Sequence, residues 1–155
     1  GISLARICEN VKVTASDISR PALDTAKINA EKNRVKIKFT PGNLYEAVGK
    51  RTYDMIASNP PYISSHMIPL LQDEVKSHEP MLALDGGEDG LNFYREIIAC
   101  AADHLKKQGI LILEIGHDQA EAVTKLIRDT KSFTKVHLIQ DLAGKDRVIY
   151  AATLY

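Results

Sequence analysis

At residues 58–62 the sequence is Ser58-Asn59-Pro60-Pro61-Tyr62. This stretch follows a short apolar run at residues 53–57 that is typical of a buried strand. Neither proline offers an N–H and each has a fixed φ, so the pair ends the strand and continues the chain in an extended, stiff form. In open α/β sheets, ligands bind at the carboxyl ends of the strands. The sequence therefore predicts that Asn59 lies at a ligand-binding edge.

The corner at residues 59–62 carries groups suited to a planar –NH2 group. The amide of Asn59 both donates and accepts hydrogen bonds. The carbonyls of Asn59 and Pro60 cannot continue a regular ladder, so they are available to a ligand, and Tyr62 adds a flat ring. The alternative interpretation is a strand-ending Pro-Pro turn in which the asparagine is incidental.

Length and composition indicate one globular domain with a core of its own. The chain has 155 residues, of which 45% are hydrophobic and 26% charged. Lysine plus arginine number 20 and aspartate plus glutamate 20, so the formal charge is zero. A nucleic-acid-binding protein usually has a basic surplus, so the balance disfavours that class but leaves a local basic face open.

The cysteines and the apolar runs indicate the cellular setting. Cys8 and Cys100 have neither metal-ligand spacing nor the pattern of a disulfide framework, which predicts no metal site and a reduced, cytoplasmic location. No run of apolar residues approaches the length of a membrane span, and no signal peptide is visible. The sequence therefore predicts no membrane partner.

Periodicity predicts strands that alternate with helices. The predicted strands are 11–16, 35–39, 53–57, 110–115, 136–139 and 147–154; the predicted helices are 2–9, 19–32, 91–105 and one after residue 118, with shorter turns at 44–48 and 69–75. Ser19 is predicted to cap its helix, Gly109 to stop the helix before it, and Asp118 with Glu121 to form a capping box. Alternation predicts a parallel sheet, and the short final connection predicts an antiparallel pair.

Separate stretches of the chain together resemble one protein family. They are Ser16–Ser19, Asn59–Ile63, Glu79–Pro80 with Ala83–Leu91, Leu113–Gln119 and Asp141–Arg147. Asn-Pro-Pro-Tyr alone is shared with adenine methyltransferases, whereas the stretches at 85–91 and 114–119 are more specific. The whole chain resembles the HemK/PrmC family of protein-(glutamine-N5) methyltransferases, which modify peptide chain release factors. The resemblance implies a class I S-adenosylmethionine-dependent methyltransferase fold: α/β and Rossmann-like, with a mostly parallel sheet and a C-terminal antiparallel hairpin.

The resemblance also implies an activity, a cofactor and a partner. A methyl group would pass from S-adenosylmethionine to the side-chain amide of a glutamine in the Gly-Gly-Gln loop of a release factor, leaving S-adenosylhomocysteine. No direct contact with nucleic acid is then expected. The alternatives are an N6-adenine methyltransferase acting on RNA or DNA, and a chain that is inactive as it stands.

Site residues follow from the resemblance position by position. Asp17 would hold the cofactor's ribose, with Ile18 beside it, although an aspartate there also suits plain helix capping. Asn43 and Leu44 would border the adenine, where a simple turn is the alternative, and Asn59 would also touch the cofactor.

On the acceptor side, the Asn59 side-chain oxygen and the Pro60 carbonyl would accept hydrogen bonds from the substrate amide, and Tyr62 would pack against that amide. Asn59, Pro60 and Tyr62 are thus the expected catalytic residues, and Pro61 and Glu79 would join them in substrate binding. His78 is interpreted as a solvated loop residue, and His117 as a structural one.

The chain departs from the family pattern in two ways. It is expected to be a catalytic domain over residues 1–155 that lacks the first strand, the glycine-rich loop and the N-terminal helical domain, with Gly1 as the loop's last glycine. As a consequence, the chain alone is expected to bind the cofactor poorly. The other departure is Asn43, where the family usually has aspartate; asparagine can still bond to an adenine edge.

Overall fold

A computed structural model describes residues 1–73, 75 and 79–154. The chain forms two compact units, Gly1–Arg51 (unit 1) and Thr52–Tyr155 (unit 2). Each unit is described below by itself.

Unit 1 is built on two parallel strands. Its elements are α1 (Ile2–Ile7), β1 (Val13–Asp17), α2 (Arg20–Lys32), β2 (Ile37–Pro41) and a 3₁₀ helix (Leu44–Ala47). The register places Asp17 opposite Pro41, so the two strands end at the same edge. The parallel pairing confirms the prediction for this part of the chain, with α2 as the crossover.

The start of α2 shows why the sequence forms a helix there. Ser19 is the N-cap, and its side chain accepts a hydrogen bond of 3.3 Å from the backbone N–H of Ala22. Pro21 lies in the first turn, where no intrahelical N–H is needed. Leu23 and Ala30 are buried on one face, as their spacing predicts.

Unit 2 contains a four-stranded mixed sheet. Its elements are β3 (Tyr53–Ser58), a 3₁₀ helix (Ser65–Leu70), α3 (Met81–Leu84), α4 (Asn92–Ala101), a 3₁₀ turn (Ala102–His104), β4 (Leu105–Glu114), α5 (Ala120–Asp129), β5 (Phe133–Gln140) and β6 (Asp146–Thr153). The strand order is β3-β4-β6-β5. The strands β3 and β4 are parallel, and β6 is antiparallel to both β4 and β5. The predicted C-terminal hairpin is therefore confirmed.

The core of unit 2 lies where α4 and α5 cover this sheet. Leu113 and Ile149 are cross-strand partners on β4 and β6, and both are completely buried. Buried residues of the two helices recur at helical spacing; they are Tyr94, Ile97, Ile98 and Ala101 on α4, and Val123 and Ile127 on α5. Next to this core, the parallel pairing of Ser58 with Leu113 places the ends of β3 and β4 side by side.

The prediction that Gly109 stops a helix is wrong. The helix α4 ends at Ala101, and Gly109 lies inside β4. Leu105 is a buried strand residue paired with Tyr53, and the left-handed φ of 58° at Gln108 bends the strand before its regular pairing resumes at Ile110. A Cβ at Gly109 would lie 2.8 Å from the Lys106 carbonyl, so the glycine permits a close backbone approach within the strand.

Candidate active site

The strand β3 carries the Asn-Pro-Pro-Tyr corner to the carboxyl edge of the unit 2 sheet. Its last residue, Ser58, pairs with Leu113 on β4. Asn59 then follows as an exposed residue, Pro60 is buried, and Tyr62 is half-buried. Among the residues that the structure describes, none donates a hydrogen bond to the Asn59 side chain or to the Pro60 carbonyl. Both oxygens are therefore free to accept.

Directly after the corner, the chain is fixed against the glycine-rich turn at residues 85–90. The Ile63 N–H donates to the Leu84 carbonyl at 3.0 Å, and the Gly86 N–H donates to the Ile63 carbonyl at 2.8 Å. This isolated parallel bridge anchors the far side of the corner. The short helix predicted for residues 69–75 falls partly outside the described residues; a 3₁₀ helix lies earlier, at Ser65–Leu70.

The carboxylate of Asp85 organises that turn. Its Oδ1 accepts hydrogen bonds from the Gly87 N–H at 2.9 Å and from the Ser65 hydroxyl at 2.7 Å. Both bonds lower the pKa of Asp85 below its usual value, and the bond from the Gly87 N–H has the larger effect. Asp85 thus stays ionised and ties the turn to the segment that follows the corner.

Asp89 fixes the other end of the turn to α4. Its carboxylate pairs with both terminal nitrogens of the Arg95 guanidinium and accepts from the Leu91 N–H at 3.1 Å. The hydrogen bonds from Arg95 are the main reason that the pKa of Asp89 falls from 3.8 to about 2. Because the charged form is favoured in the folded state, this pair supports the folded turn at neutral pH.

We expect that support to be lost in strong acid. The pKa of Asp89 is lower in the folded state, so its contribution is complete above pH 3.8 and disappears as the pH falls through about 2. An NMR titration of the Asp89 carboxyl carbon should give a midpoint near 2, and Arg95→Gln should return it towards 3.8. Arg128→Gln is the matched control: Arg128 is an exposed residue of α5, and its replacement should leave the midpoint of Asp89 unchanged. An unaltered midpoint in Arg95→Gln would contradict the assignment.

The predicted capping box at Asp118 and Glu121 is wrong, because α5 begins later. Its N-cap is Gln119, which makes no side-chain capping bond. The Gln119 side chain is instead held elsewhere: its Oε1 accepts from the Gly116 N–H at 3.0 Å, and its Nε2 donates to the Tyr62 carbonyl at 2.9 Å. Gln119 lies within a stretch that resembles the family, but its contact with Tyr62 spans 57 residues and leaves no local signal in the sequence.

A buried tyrosine supports the end of β4. Tyr94 is fully buried, and its hydroxyl donates to the Glu114 carbonyl at 2.9 Å. Burial is the main cause that raises the pKa of Tyr94 well above its ordinary value, with smaller effects from Tyr62 and Glu114. The hydroxyl therefore remains a neutral donor. Sequence periodicity placed Tyr94 on the buried face of its helix but did not predict this bond.

Unit 1 brings two of the predicted cofactor residues to one edge. The Oδ1 of Asp17 accepts from the N–H of Ser19, the N-cap residue of α2, at 2.7 Å, so one carboxylate oxygen is engaged by the start of the helix. The Asp17 carbonyl also accepts from the Gly42 N–H at 3.1 Å, which ties the end of β1 to the residue before Asn43. Asn43 precedes a 3₁₀ helix and makes no side-chain capping bond.

The neighbouring residues offer apolar surface at the same edge. Ile18 is 54% exposed beside Asp17. Leu44 is half-buried and has a left-handed φ of 41°. This edge therefore presents a second carboxylate oxygen, a free amide and two apolar side chains, a set of groups that fits a ribose and an adenine ring.

Among the described residues, no contact joins the predicted substrate-binding residue Glu79 to the corner. Glu79 is exposed, and the contact described for it is the bond from its N–H to the Val75 carbonyl, 2.9 Å long. His78 lies outside the described residues. His117 is exposed, and its structural role stays a prediction.

Within residues 1–73, 75 and 79–154, no helix is long and apolar enough to cross a membrane. Over the same residues, no three histidine, cysteine, aspartate or glutamate side chains are grouped so as to hold a metal ion.

Comparison with known proteins identifies the family. The model of the methyltransferase small domain family matches residues 1–86, which include β1, β2, β3 and the corner. The chain belongs to the methyltransferase small domain family. The match ends at Gly86, so it includes only the first two residues of the glycine-rich turn.

Curated relatives of this methyltransferase-family chain confirm the resemblance seen in the sequence. The release factor glutamine methyltransferase of Clostridium acetobutylicum is 41% identical over 157 residues, a match that covers 97% of this chain and 54% of the relative. The chain thus spans about half the length of the curated relatives it matches.

Solved structures confirm the methyltransferase α/β fold. The protein-(glutamine-N5) methyltransferase from Alicyclobacillus acidocaldarius matches with a TM-score of 0.53 at 24% identity, over 97% of this chain and 84% of that one. The N-methyltransferase NodS from Bradyrhizobium japonicum, solved with S-adenosyl-L-homocysteine, matches with a TM-score of 0.61 at 16% identity, over 99% of this chain and 71% of that one. At these identities the likeness concerns the fold.

Proposed function

We propose that this protein transfers a methyl group from S-adenosylmethionine to the side-chain amide nitrogen of a glutamine in a peptide chain release factor. The observation that carries the proposal is the 41% identity, over 97% of the chain, to a protein named for that reaction. The two free acceptors of the corner, the Asn59 side-chain oxygen and the Pro60 carbonyl, support it independently.

The cofactor is proposed to bind through unit 1. Asp17 retains a carboxylate oxygen that can accept from a ribose hydroxyl, and the Asn43 amide can bond to an adenine edge. Ile18 and Leu44 supply the apolar contacts. When bound, S-adenosylmethionine supplies an activated methyl group on a sulfonium and leaves as S-adenosylhomocysteine.

The corner is proposed to act on the acceptor nitrogen. An amide nitrogen is planar, and its lone pair is delocalised into its carbonyl. Hydrogen bonds from its two protons to the Asn59 side-chain oxygen and the Pro60 carbonyl favour a pyramidal, more nucleophilic nitrogen and stabilise the positive charge that develops on it. The nitrogen forms its new bond with its own lone pair, and one proton then passes to water. No strong base is needed before attack.

The rigidity of the corner makes these acceptors effective. Pro60 and Pro61 fix two φ angles, β3 holds one end of the corner, and the Ile63 bridge holds the other. The acceptors are thus positioned before the substrate arrives, which is how catalysis by orientation lowers a barrier. The Tyr62 ring is proposed to pack against the flat amide.

The proposed partner is a release factor that presents the glutamine of its Gly-Gly-Gln loop. Pro61 and Glu79 are proposed to contact that loop, Glu79 from its exposed position. Adenine in RNA or DNA is the competing acceptor, because it also presents a planar –NH2 group. The zero formal charge favours the protein acceptor, since a nucleic-acid substrate usually calls for a basic surface.

The proposal is tested by incubating S-adenosylmethionine carrying a labelled methyl group with equal amounts of release factor, RNA and DNA. Two proteins are assayed: this chain, and a chimera that adds the part of the Clostridium acetobutylicum relative that the match leaves uncovered. We expect the chimera to transfer the labelled methyl group to the release factor. Label in nucleic acid would replace the proposal with the adenine activity. A chimera that binds the cofactor but labels none of the three substrates would refute it.

A further inference from the structure

The Gln119 amide lies where three backbone segments of unit 2 meet. Its Oε1 accepts from the Gly116 N–H at 3.0 Å, just beyond the end of β4. Its Nε2 donates to the Tyr62 carbonyl at 2.9 Å and, more weakly, to the Gly90 carbonyl at 3.4 Å. One half-buried side chain thus joins the Asn-Pro-Pro-Tyr corner, the glycine-rich turn and the β4–α5 connection.

Glycines on two sides make room for this amide. A Cβ at Gly90 would lie 2.4 Å from the Tyr62 carbonyl oxygen and 2.8 Å from the Gln119 Nε2. A Cβ at Gly116 would lie 2.8 Å from the Gln119 Oε1. Real Cβ atoms do not approach so closely, so both positions require glycine if the amide is to stay in place. The socket is shaped for a group that accepts on one side and donates on the other.

This bond fixes the end of the catalytic corner. The prolines restrict φ at residues 60 and 61, but ψ can still rotate, and the Tyr62 carbonyl turns with the peptide that follows the corner. The Tyr62 carbonyl already accepts one hydrogen bond, from the Gln119 Nε2. The Asn59 side chain and the Pro60 carbonyl, by contrast, accept no bond from the described residues.

We propose that Gln119 is a positioning residue for methyl transfer, which acts by locking the Tyr62 peptide and hence the acceptor pair formed by Asn59 and Pro60. This inference rests on the proposed function for its kinetic consequence. Its structural consequence stands apart from the reaction, because the loss of the bond must loosen the corner whether or not the acceptor is a glutamine.

The test uses Gln119→Ala and Gln119→Glu. A glutamate has nearly the same shape and can still accept from Gly116, but its carboxylate cannot donate to Tyr62. The matched control is Gln140→Glu. Gln140 is an exposed residue of β5 whose side chain donates to the Asp146 carboxylate at 3.0 Å, so the same replacement loses a similar bond away from the corner.

Hydrogen exchange gives the first readout, on this chain itself. In both Gln119 variants, the amides of Ile63 and Gly86 should exchange about tenfold faster, because the bridge after the corner opens more often. The amides of Leu111 and Leu113 in β4 should exchange at their original rates. Unchanged exchange at Ile63 and Gly86, or equal acceleration throughout unit 2, would overturn the inference.

Kinetics give the second readout, in whichever of the chain and the chimera is active. Misplaced acceptors should lower kcat roughly 10- to 100-fold in both Gln119 variants, while KM for S-adenosylmethionine changes less than about twofold. Full kcat in Gln119→Glu would overturn the positioning role, since shape alone would then suffice. If no unaltered protein methylates a release factor, the proposed function fails, and the exchange result alone decides the role of Gln119.

Discussion

Asn59→Ala should lower kcat for glutamine methylation by about 100-fold or more. The substitution removes the exposed side-chain oxygen that we propose as one of two acceptors for the substrate N–H groups. The Pro60 carbonyl would remain, but a single acceptor holds the amide less firmly and stabilises less of the developing charge. Steady-state rates with a release factor as substrate measure the effect.

The control for this substitution is Asn29→Ala. Asn29 is an exposed residue of α2, so the same amide is lost away from the corner, and the rate should stay within about twofold. Thermal unfolding of both variants checks that each remains folded. A folded Asn59→Ala protein with nearly full kcat would show that the corner does not activate the acceptor in the way proposed.

Gly90→Ala should be strongly destabilising. Gly90 has a φ of 75°, which costs an L-residue about 1–2 kcal/mol. The added Cβ would also lie 2.4 Å from the Tyr62 carbonyl oxygen, and relieving that clash should cost about another 1–3 kcal/mol. Denaturant unfolding should therefore show a loss of roughly 3 kcal/mol in the free energy of unfolding, accompanied by displacement of the corner.

Gly144→Ala separates the two contributions. Gly144 has nearly the same φ, 76°, but a Cβ there would meet nothing within 4 Å. It should lose only the conformational part, about 1–2 kcal/mol. If the two variants lost equal stability, the close approach between Gly90 and Tyr62 would have no energetic weight, and the argument for a shaped socket around Gln119 would fail with it.

Local patterns were sufficient to predict most of the elements. The capping residue Ser19 and the buried spacing in α2, α4 and α5 are short-range features, and the structure confirms them. The Pro-Pro pair predicted the end of β3 for a steric reason that does not depend on the rest of the fold. The final hairpin followed from a connection too short for a crossover.

The failures come from contacts that local patterns do not encode. Gly109 resembles a helix stop, but the pairing of Leu105 with Tyr53 draws the preceding residues into β4. Asp118 and Glu121 have the spacing of a capping box, but the helix begins at Ala120, and its N-cap Gln119 directs its side chain to the nearby Gly116 N–H and, across 57 residues, to the Tyr62 carbonyl. In both cases tertiary hydrogen bonding outweighs a local preference.

The places of the candidate site residues at strand ends were predictable, but the contacts that hold the corner were not. Parallel strands end at one edge, and the pairing of β1 with β2 places Asp17 opposite Pro41, two residues before Asn43. The same reasoning gave Asn59 its place at the end of β3. The side chain of Gln119 reaches the Tyr62 carbonyl across 57 residues and the Gly90 carbonyl across 29, so neither contact could be predicted from local sequence.

The central claim is that the acceptor is a glutamine side chain. The most direct test is mass spectrometry of a release factor incubated with S-adenosylmethionine and the chimera: the intact mass counts added methyl groups, and fragmentation locates them. We predict one methyl group on the side-chain nitrogen of the Gly-Gly-Gln glutamine, added about 100-fold more slowly, or slower still, when Asn59→Ala is used. An unmodified glutamine, from a protein that still binds the cofactor and methylates another acceptor, would contradict the account.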